Sequence, residues 1–474
     1  MADTAAGIEH SYSNYSAIPK HHEDPTTFET VVPSRYITFT FPHPLFQDNH
    51  LRVAVLDSPS SSSARIAAMW VPPGRESDWI FSTFSGHLQL LLSSTTPHNL
   101  SRLIIIGNPP VHSHPTSYFS TPYPSPNQSK ETEEKLRTLL LALTPKSAFY
   151  QNGIRNSEFP EIPFLIYEDE VRKCKILETC EGPCAGEMLI ENVVVETNTT
   201  KEFRRRLRFK RMPNLVQTQM RILPKNELNS GELDNLEFVI DNSVLVDPYL
   251  SPMVGGLSVI GSHLEIRIKG GIRPKALCLG IGGGALLGFL SSQLNFDVTG
   301  VENDEVVLQV AKKYFGLESN ELIHLFVGDG IELVEKLAKN ITAGCKFDMI
   351  MVDLDSSDAT MGTCAPPLEF VKKSVLLAAR EVLCELGVLI INVIPSSELF
   401  FKRLISEFDE VFEELYEIDV GNGENFVLIA TMSKIENALN ASEDALLNKL
   451  KSVSGSYISS IRKISRSAHQ EFCK

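Results

Sequence analysis

The amino-acid sequence predicts an α/β protein: a doubly wound parallel sheet with an antiparallel last strand, preceded by a β-rich N-terminal region. Three observations carry this expectation. Between Lys275 and Met432, short apolar segments alternate with helical ones. That stretch closes with two strand-like segments, Phe412 to Val420 and Phe426 to Met432, joined by so short a turn, Gly421-Asn422-Gly423, that they must pair antiparallel. Before it, from Glu187 to about Leu257, apolar and polar residues alternate with the period of two that half-buried strands require.

The chain has 474 residues, enough for two or three domains at about 150 residues each. Hydrophobic residues at 43% and charged residues at 22% are ordinary globular usage, which excludes wholesale disorder. Asp and Glu number 59 against 44 Lys and Arg, a net charge of −15 that argues against nucleic-acid partners and suits a cationic substrate. No apolar run approaches the roughly 18 residues of a spanning helix, and Met1 to Pro19 lack the layout of a signal peptide. A cytoplasmic protein without a membrane partner is expected. Of the eight cysteines only Cys174, Cys180 and Cys184 cluster, with no His nearby and no familiar ligand spacing, so free thiols and no metal are expected.

Residues 1–30 read as a disordered, linker-like opening, polar and rich in His, Pro and Ser. Residues 31–186 form an N-terminal α/β accessory region, with strands at Tyr36 to Phe41 and Leu103 to Gly107 and low-complexity loops at Ser58 to Ser63 and Pro115 to Ser129. Residues 187–262 are the antiparallel β region, with strands at Met188 to Val195, Phe203 to Phe209, Val216 to Leu223 and Leu236 to Val246. Within it Arg204, Arg205, Arg206, Arg208, Lys210 and Arg211 read as the solvated face of an edge strand rather than as a patch for an acidic partner. Residues 263–434 are the ligand-binding α/β domain, with strands at Ala276 to Ile281, Val298 to Glu302, Leu322 to Val327, Phe347 to Asp353 and Val388 to Val393. Its helix Glu305 to Phe315 keeps Val307, Val310, Ala311 and Tyr314 on one face, with Gly316 at its C-terminal end. Residues 435–474 are a helical tail carrying one amphipathic helix, Ala445 to Val453.

Candidate chemistry lies at the carboxyl ends of the α/β strands. The first ends in Gly280-Ile-Gly282-Gly283-Gly284-Ala285, where glycine permits a sharp turn and brings backbone N–H groups close to a ligand; a purely structural tight turn is the alternative. About 20 residues on, the second strand ends in Glu302, placed to accept hydrogen bonds from ribose hydroxyls or to cap the next helix. The third ends in Gly328-Asp329-Gly330, where Asp329 holds an adenine amino group or caps a helix. The fourth ends in Asp353-Leu-Asp355-Ser-Ser-Asp358. Carboxylates so crowded raise at least one pKa unless a cation lies between them, which implies a cationic or proton-releasing substrate; a capping turn alone hardly needs three acids. A glycine loop, a ribose acid and a terminal antiparallel hairpin together point to S-adenosyl-L-methionine rather than a nicotinamide cofactor.

These segments resemble the spermidine synthase-like branch of the seven-stranded class I (Rossmann-like) methyltransferases, whose glycine loop has no acid two residues before its first glycine; here that place is Cys278. Val71-Pro-Pro-Gly-Arg-Glu-Ser-Asp-Trp79-Ile-Phe81, Val301-Glu302 with Tyr314-Phe-Gly316, and Asp348 through Asp358 to Met361-Gly362 and Pro366-Pro367 resemble, over residues 30–432, the C-terminal half of the dual methyltransferases of translation elongation factor 1A. The resemblance implies methyl transfer to the α-amine of that factor's N-terminus. It places Gly280, Gly282, Gly283, Gly284, Glu302, Asp329, Gly330 and Asp353 at the cofactor, and Asp353, Asp355 and Asp358 in catalysis. The family's aspartate motif selects Asp355, whereas distance from Asp348 selects Asp353. The opening resembles the family's inter-domain linker, so lysine methylation by the family's first domain is not carried over. Aminopropyl transfer to a polyamine and a noncatalytic partner-binding protein are the alternatives, and a homodimer through the β region is compatible with all three.

Overall fold

The computed structural model describes residues 28–464 except 47, 60–64, 94–99, 111–116, 120–125, 152–153, 156–158, 168, 197–200, 226–232, 234–235, 341, 357–364, 396, 424 and 436–444. Of the sequence expectations, the opening up to residue 27, most of both low-complexity loops, Asp358, Met361, Gly362 and the tail beyond 464 lie outside the described residues.

In the N-terminal region, β1 (Tyr36–Pro42), β2 (His50–Asp57), β3 (Arg65–Trp70), β4 (Leu100–Gly107) and the two-residue β8 (Phe164–Leu165) form one sheet in the order β1-β2-β4-β3-β8. The period of two sends alternate side chains to opposite layers. Ala54, Leu56, Ala67, Met69, Leu103 and Ile105 meet Ile80 and Phe81 of α1 (Trp79–Ser82) and Leu88 and Leu91 of α2 (Phe84–Ser93). On the other face Val53, Val55, Ala68, Ile104 and Ile106 meet Leu136 and Leu140 of α3 (Pro126–Ala142).

A second sheet is antiparallel throughout. It comprises β5 (Ser117–Phe119), β9 (Val171–Gly182), β10 (Gly186–Glu196), β11 (Lys201–Phe209), β12 (Val216–Pro224) and β13 (Phe238–Ile240), in the order β13-β12-β11-β10-β9-β5; β6 (Tyr150–Gln151) and β7 (Ile154–Arg155) pair separately. Its strand Val171–Gly182 lies ahead of residue 187, and only Phe238–Ile240 of the expected Leu236 to Val246 strand pairs. The following segment is helical, with α4 (Leu250–Gly256) and α5 (Gly261–Lys269) packed on the α/β domain.

The arginine run is not a solvated edge. Strand β11 lies inside the sheet, between β10 and β12, and Arg206 and Arg208 are only 8% and 4% exposed. Their counter-charge is Glu191, directly opposite Arg206 on β10: Arg206 Nε donates to Glu191 Oε1 at 2.8 Å and Arg208 Nη2 to Oε2 at 3.2 Å. Arg208 Nη1 also donates to Asp78 Oδ1 at 3.0 Å. Buried guanidinium groups are tolerated where carboxylates and hydrogen bonds match them, and strand order, which decides what is buried, is not a local property.

The α/β domain carries β14 (Lys275–Leu279), β15 (Asp297–Glu302), β16 (Ile323–Val327), β17 (Phe347–Val352), β18 (Leu383–Val393), β19 (Glu414–Asp419), β20 (Phe426–Thr431) and β21 (Arg462–Lys463), in the order β16-β15-β14-β17-β18-β20-β19-β21. The sheet thus has eight strands where seven were expected, the eighth being the two-residue β21 on the outer edge. The first five run parallel and β20 is antiparallel to both its neighbours. Cys278, Met349, Met351 and Ile390 face α6 (Ala285–Leu294), α7 (Glu305–Phe315) and α11 (Ala445–Ser459), whereas Leu277, Ile350, Val352 and Ile391 face α8 (Gly330–Asn340), α9 (Lys373–Val382) and α10 (Glu398–Asp409).

Replacing Glu191 by Ala leaves Arg206 and Arg208 without their shared carboxylate in a buried layer. Urea unfolding is expected to show a loss of about 3 kcal/mol or more. A loss within experimental error would contradict the ion-pair account.

Candidate active site

The chain leaves β14 between its neighbours β15 and β17, which connect in opposite directions, so a crevice opens where the three strands end. Gly280 has φ +85°, and a Cβ there would lie 2.1 Å from the Asp353 carbonyl oxygen, so only glycine allows the two strand ends to approach. The loop's N–H groups are used within the protein. Ile281 and Gly282 donate to Glu302 Oε2 at 3.1 and 3.2 Å, Gly283 to Thr218 Oγ1 at 2.8 Å, and Gly284 to the Ile281 carbonyl. Glu302 Oε1 accepts from the Asp304 N–H at 3.2 Å. About four acceptor positions exist on a carboxylate, so one remains for a ligand hydroxyl. Glycine here shapes the turn, and Glu302 ties it to β15.

Across the crevice, Asp353 follows β17 directly. Tyr249 donates its hydroxyl to Asp353 Oδ2 at 3.1 Å, and Asn392 Nδ2 donates to Oδ1 at 3.1 Å. Asn392 is oriented in turn by Asn425, whose Nδ2 donates to Asn392 Oδ1 at 2.9 Å, and Asn425 by Asn422. Asp247, just before α4, is buried, and its Oδ2 accepts the Gln219 N–H at 3.2 Å. Asp355 lines the same cleft as Arg211 and Gln217; its buried Oδ2 and the buried Gln217 Nε2 make no hydrogen bond among the described residues, and the Arg211 charge favours its ionised form.

A cleft of about 380 Å³ joins these groups. Its described lining holds Asp247, Glu302, Asp304, Asp329, Asp353, Asp355 and Glu369, against one cation, Arg211. Burial, reinforced by the charge of Asp355, pushes Asp353 up to about 6. Burial, with the charge of Asp353 adding to it, pushes Asp247 up to about 7. Burial raises Glu302 and Asp355 as well, against the backbone N–H groups on Glu302 and against Arg211 beside Asp355. The Tyr249 hydroxyl is held well above its ordinary range, first by burial and then by Asp353, so it stays a proton donor. The chemistry of such a lining suits a cationic ligand and the role of proton acceptor.

The remaining wall comes from the antiparallel sheet. Cys184 and Ala185, in the β9–β10 turn, donate their N–H groups to Asp304 Oδ2 at 2.8 Å each, while Asp304 Oδ1 caps α7. Asp329 lines the cleft and also caps α8, accepting from the N–H groups of Ile331 and Glu332. Of the sequence-predicted site residues, Gly280, Gly282, Glu302, Asp329, Gly330, Asp353 and Asp355 line this one cleft; Gly283 and Gly284 lie in the turn behind it. Asp358 lies outside the described residues. The sequence reading missed Asp247, Tyr249, Asn392, Arg211, Gln217 and Thr218. Asn392 was accessible as the lone amide near the end of the apolar run Val388 to Val393, and Asp247-Pro-Tyr249 as an acid before a helix start.

Other titratable groups lie elsewhere. Cys174 is buried and donates to Glu191 Oε2, and Cys184 is exposed. Among the described residues His263, Asp348 and Cys384 bring one donor atom each within 3.7 Å of the others. Arg267 already pairs with Asp348, which accepts the Lys275 N–H as well, so the group latches α5 to the starts of β14, β17 and β18, opposite the cleft. Among the described residues no helix is long and apolar enough to cross a membrane.

Five parallel strands, an antiparallel β20 and an acid-lined crevice at the carboxyl edge of β14 and β17 define a class I methyltransferase-like, Rossmann-like domain. By sequence the chain is similar to the eEF1A lysine and N-terminal methyltransferase homolog of Drosophila melanogaster, 27% identical over 371 residues that cover 78% of this chain and 49% of that protein. It is likewise similar to the eEF1A lysine and N-terminal methyltransferase of Xenopus laevis, 27% identical over 397 residues, covering 79% of this chain and 52% of that one. The chain therefore spans about half the length of the curated relatives it matches. Among solved structures it is similar to human methyltransferase-like protein 13 in complex with SAH, with a TM-score of 0.39 and 24% identity, covering 48% of this chain and 100% of that one. No protein-family model matches.

The paired carboxyls make a pH prediction. An unfolded aspartate titrates near 3.9, whereas Asp353 and Asp247 are raised to about 6 and about 7. Between about pH 4 and 7 the folded protein therefore holds more protons than the unfolded one, and this pair's contribution to stability falls as pH rises through that window. Asp247→Asn, which keeps an acceptor for Gln219, is expected to stabilise the protein by at least about 1 kcal/mol at pH 7.5 and not at pH 4. Urea unfolding at both values checks it; an equal effect at both would refute the assignment.

Proposed function

We propose that this chain is an S-adenosyl-L-methionine-dependent protein methyltransferase acting on the N-terminal α-amine of translation elongation factor 1A. The observation that carries the reading is one cleft that joins a glycine turn and Glu302 to Asp247, Tyr249, Asp353 and Asp355. The names of the similar proteins supply the acceptor. Acting on a translation factor makes the cytoplasm the working compartment.

The residues present suit an adenosine-type group. Ile281, Leu286, Val307 and Ile331 give apolar walls, and Glu302 keeps an acceptor position for a ribose hydroxyl. When bound, the cofactor supplies a methyl group already activated by its sulfonium, so orientation contributes more than base strength. Asp353 is the residue that receives the acceptor amine, because Tyr249 and Asn392 fix both its oxygens. An α-amine titrates near 8, so roughly a tenth is already neutral at pH 7, and a carboxylate poised near 6 suffices to draw in the ammonium and take its proton. Asp247 and Asp355 add field at the same point. A lysine ε-amine, near 10.4, would need a desolvating pocket beyond this.

The test incubates the chain with labelled S-adenosyl-L-methionine and a peptide of the elongation factor's N-terminal sequence, either free or N-acetylated, with mass spectrometry as readout. Label is expected on the free α-amine and none on the acetylated peptide. Asp353→Asn is expected to lower kcat by about 100-fold, and Glu302→Ala to weaken cofactor binding by about tenfold in calorimetry. Label on a lysine of the acetylated peptide would overturn the acceptor. Polyamine product from putrescine and decarboxylated cofactor, without peptide methylation, would overturn the reaction.

A further inference from the structure

One wall of the cleft is not made by the α/β domain. Phe209, Arg211, Leu215, Val216, Gln217 and Thr218, at and after the end of β11, supply it. The strand pairing slips at this point: Leu207 faces Thr218 and Arg208 faces Val216, so Gln217 is the extra residue of a β-bulge. Bulges of this kind turn a side chain out of its regular alternation, and here the bulged residue lines the cleft together with Asp355, its buried Nε2 without a hydrogen-bond partner among the described residues.

The segment leading into the bulge is held from the N-terminal region. Asp78, the cap of α1, accepts from Arg208 Nη1 at 3.0 Å, and the same Nη1 donates to the Pro213 carbonyl at 3.0 Å. Ser85 of α2 donates its hydroxyl to the Lys210 carbonyl at 3.0 Å, and Gln89 Oε1 of α2 accepts the Asn214 N–H at 2.8 Å. The Lys210 ammonium lies 5.9 Å from the centroid of the Trp79 ring. Asp78 is itself clamped by Arg75 at 2.7 Å, and Arg75 packs over Phe81 and Tyr167. Arg75, Asp78, Trp79 and Phe81 all belong to the segment Val71 to Phe81 that the sequence singled out and that the methyl-transfer chemistry leaves unused.

We propose that α1 and α2 form a positioning clamp for the acceptor-facing wall: they hold residues 208–214, and so set Arg211 and Gln217 in the cleft wall that also carries Asp355. The inference deepens the function proposed above and rests on it for the word acceptor. Arg211 also donates to the Cys184 carbonyl at 2.9 Å, so the clamp carries over to the second turn at the cleft mouth. The cofactor side is less dependent on it. Its links to this sheet are Thr218, which is paired in the ladder with Leu207 and accepts the Gly283 N–H, and the Cys184–Ala185 turn, whose N–H groups hold Asp304. Asp78, Ser85 and Gln89 touch no reacting group and are positioning residues.

The experiment uses the whole chain with Gln89→Ala, Ser85→Ala and the conservative Gln89→Glu, which retains an oxygen for Asn214. For the two alanine variants, amide hydrogen exchange in residues 209–217 is expected to quicken by about tenfold. The KM for the peptide acceptor is expected to rise by about fivefold, with kcat and the calorimetric cofactor Kd within about twofold of wild type. Gln89→Glu is expected to restore both exchange and KM. Unchanged exchange overturns the clamp. Faster exchange with unchanged acceptor KM, or with cofactor Kd weakening in step, overturns its role toward the acceptor. Wild-type protein that transfers no methyl group overturns the function proposed above, while exchange still decides whether α1 and α2 hold the segment.

Discussion

The Asp353 N–H donates to the Leu279 carbonyl at 2.9 Å, and the Asp353 carbonyl occupies the place a Cβ on Gly280 would need. This contact binds the ends of β14 and β17 so closely that both chains must turn away from each other at once. The turn after β14 runs toward Glu302, and the one after β17 carries Asp355. Both halves of the cleft therefore start from one backbone contact, and the side chain of Asp353 is delivered to the point where they meet. A residue with a Cβ at 280 would part the strands and separate the two halves.

Burying carboxylates at that point is costly, and the protein offsets the cost with oriented dipoles rather than full counter-charges. Asn422, Asn425 and Asn392 form a chain of side-chain amides, each donating to the next, that ends on Asp353. Tyr249 supplies the other hydrogen bond from a hydroxyl that burial keeps protonated. Contrast Glu191, where two guanidinium groups hold the carboxyl below its ordinary range despite complete burial. Full ion pairing makes that carboxylate a structural fixture. Partial satisfaction leaves Asp353 and Asp247 poised near neutrality, where an arriving cation can shift them.

What the sequence made legible follows from locality. The helix Glu305 to Phe315 was readable to the residue because its apolar face, its capping Asp304 and the left-handed Gly316 are all within one segment. The strand ends bearing the glycine loop, Glu302 and Asp353 were readable because the carboxyl edge of a parallel sheet follows from chain order. The arginine run was misread because its surroundings come from strand β10 and from Asp78, 130 residues away from Arg208. Asp247 and Tyr249 were hidden in a stretch whose alternation reads as strand, although the chain there breaks into α4 after Phe238–Ile240. At Ser454, just past the expected helix Ala445 to Val453, α11 kinks and runs on to Ser459, and the Ser454 hydroxyl donates to the Ser251 carbonyl, a contact no local pattern encodes.

The two sides of the cleft differ in how many parts of the chain build them. Gly280, Ile281, Glu302 and Asp329 come from the ends of three adjacent parallel strands and are fixed by that sheet's own hydrogen bonds. The opposite side needs Asp353 from the same sheet, Asp247 and Tyr249 from the approach to α4, and Arg211 and Gln217 from the bulged hairpin. The hairpin is in turn tied to a buried ion network that reaches Asp78 and Arg75. The glycine side therefore draws mainly on the α/β domain, joined to the antiparallel sheet through Thr218 on the Gly283 N–H and the Cys184–Ala185 turn on Asp304. The Asp353 side draws on the assembled chain, since its groups come from the α/β sheet, the approach to α4 and the bulged hairpin, the last of which is tied to α1.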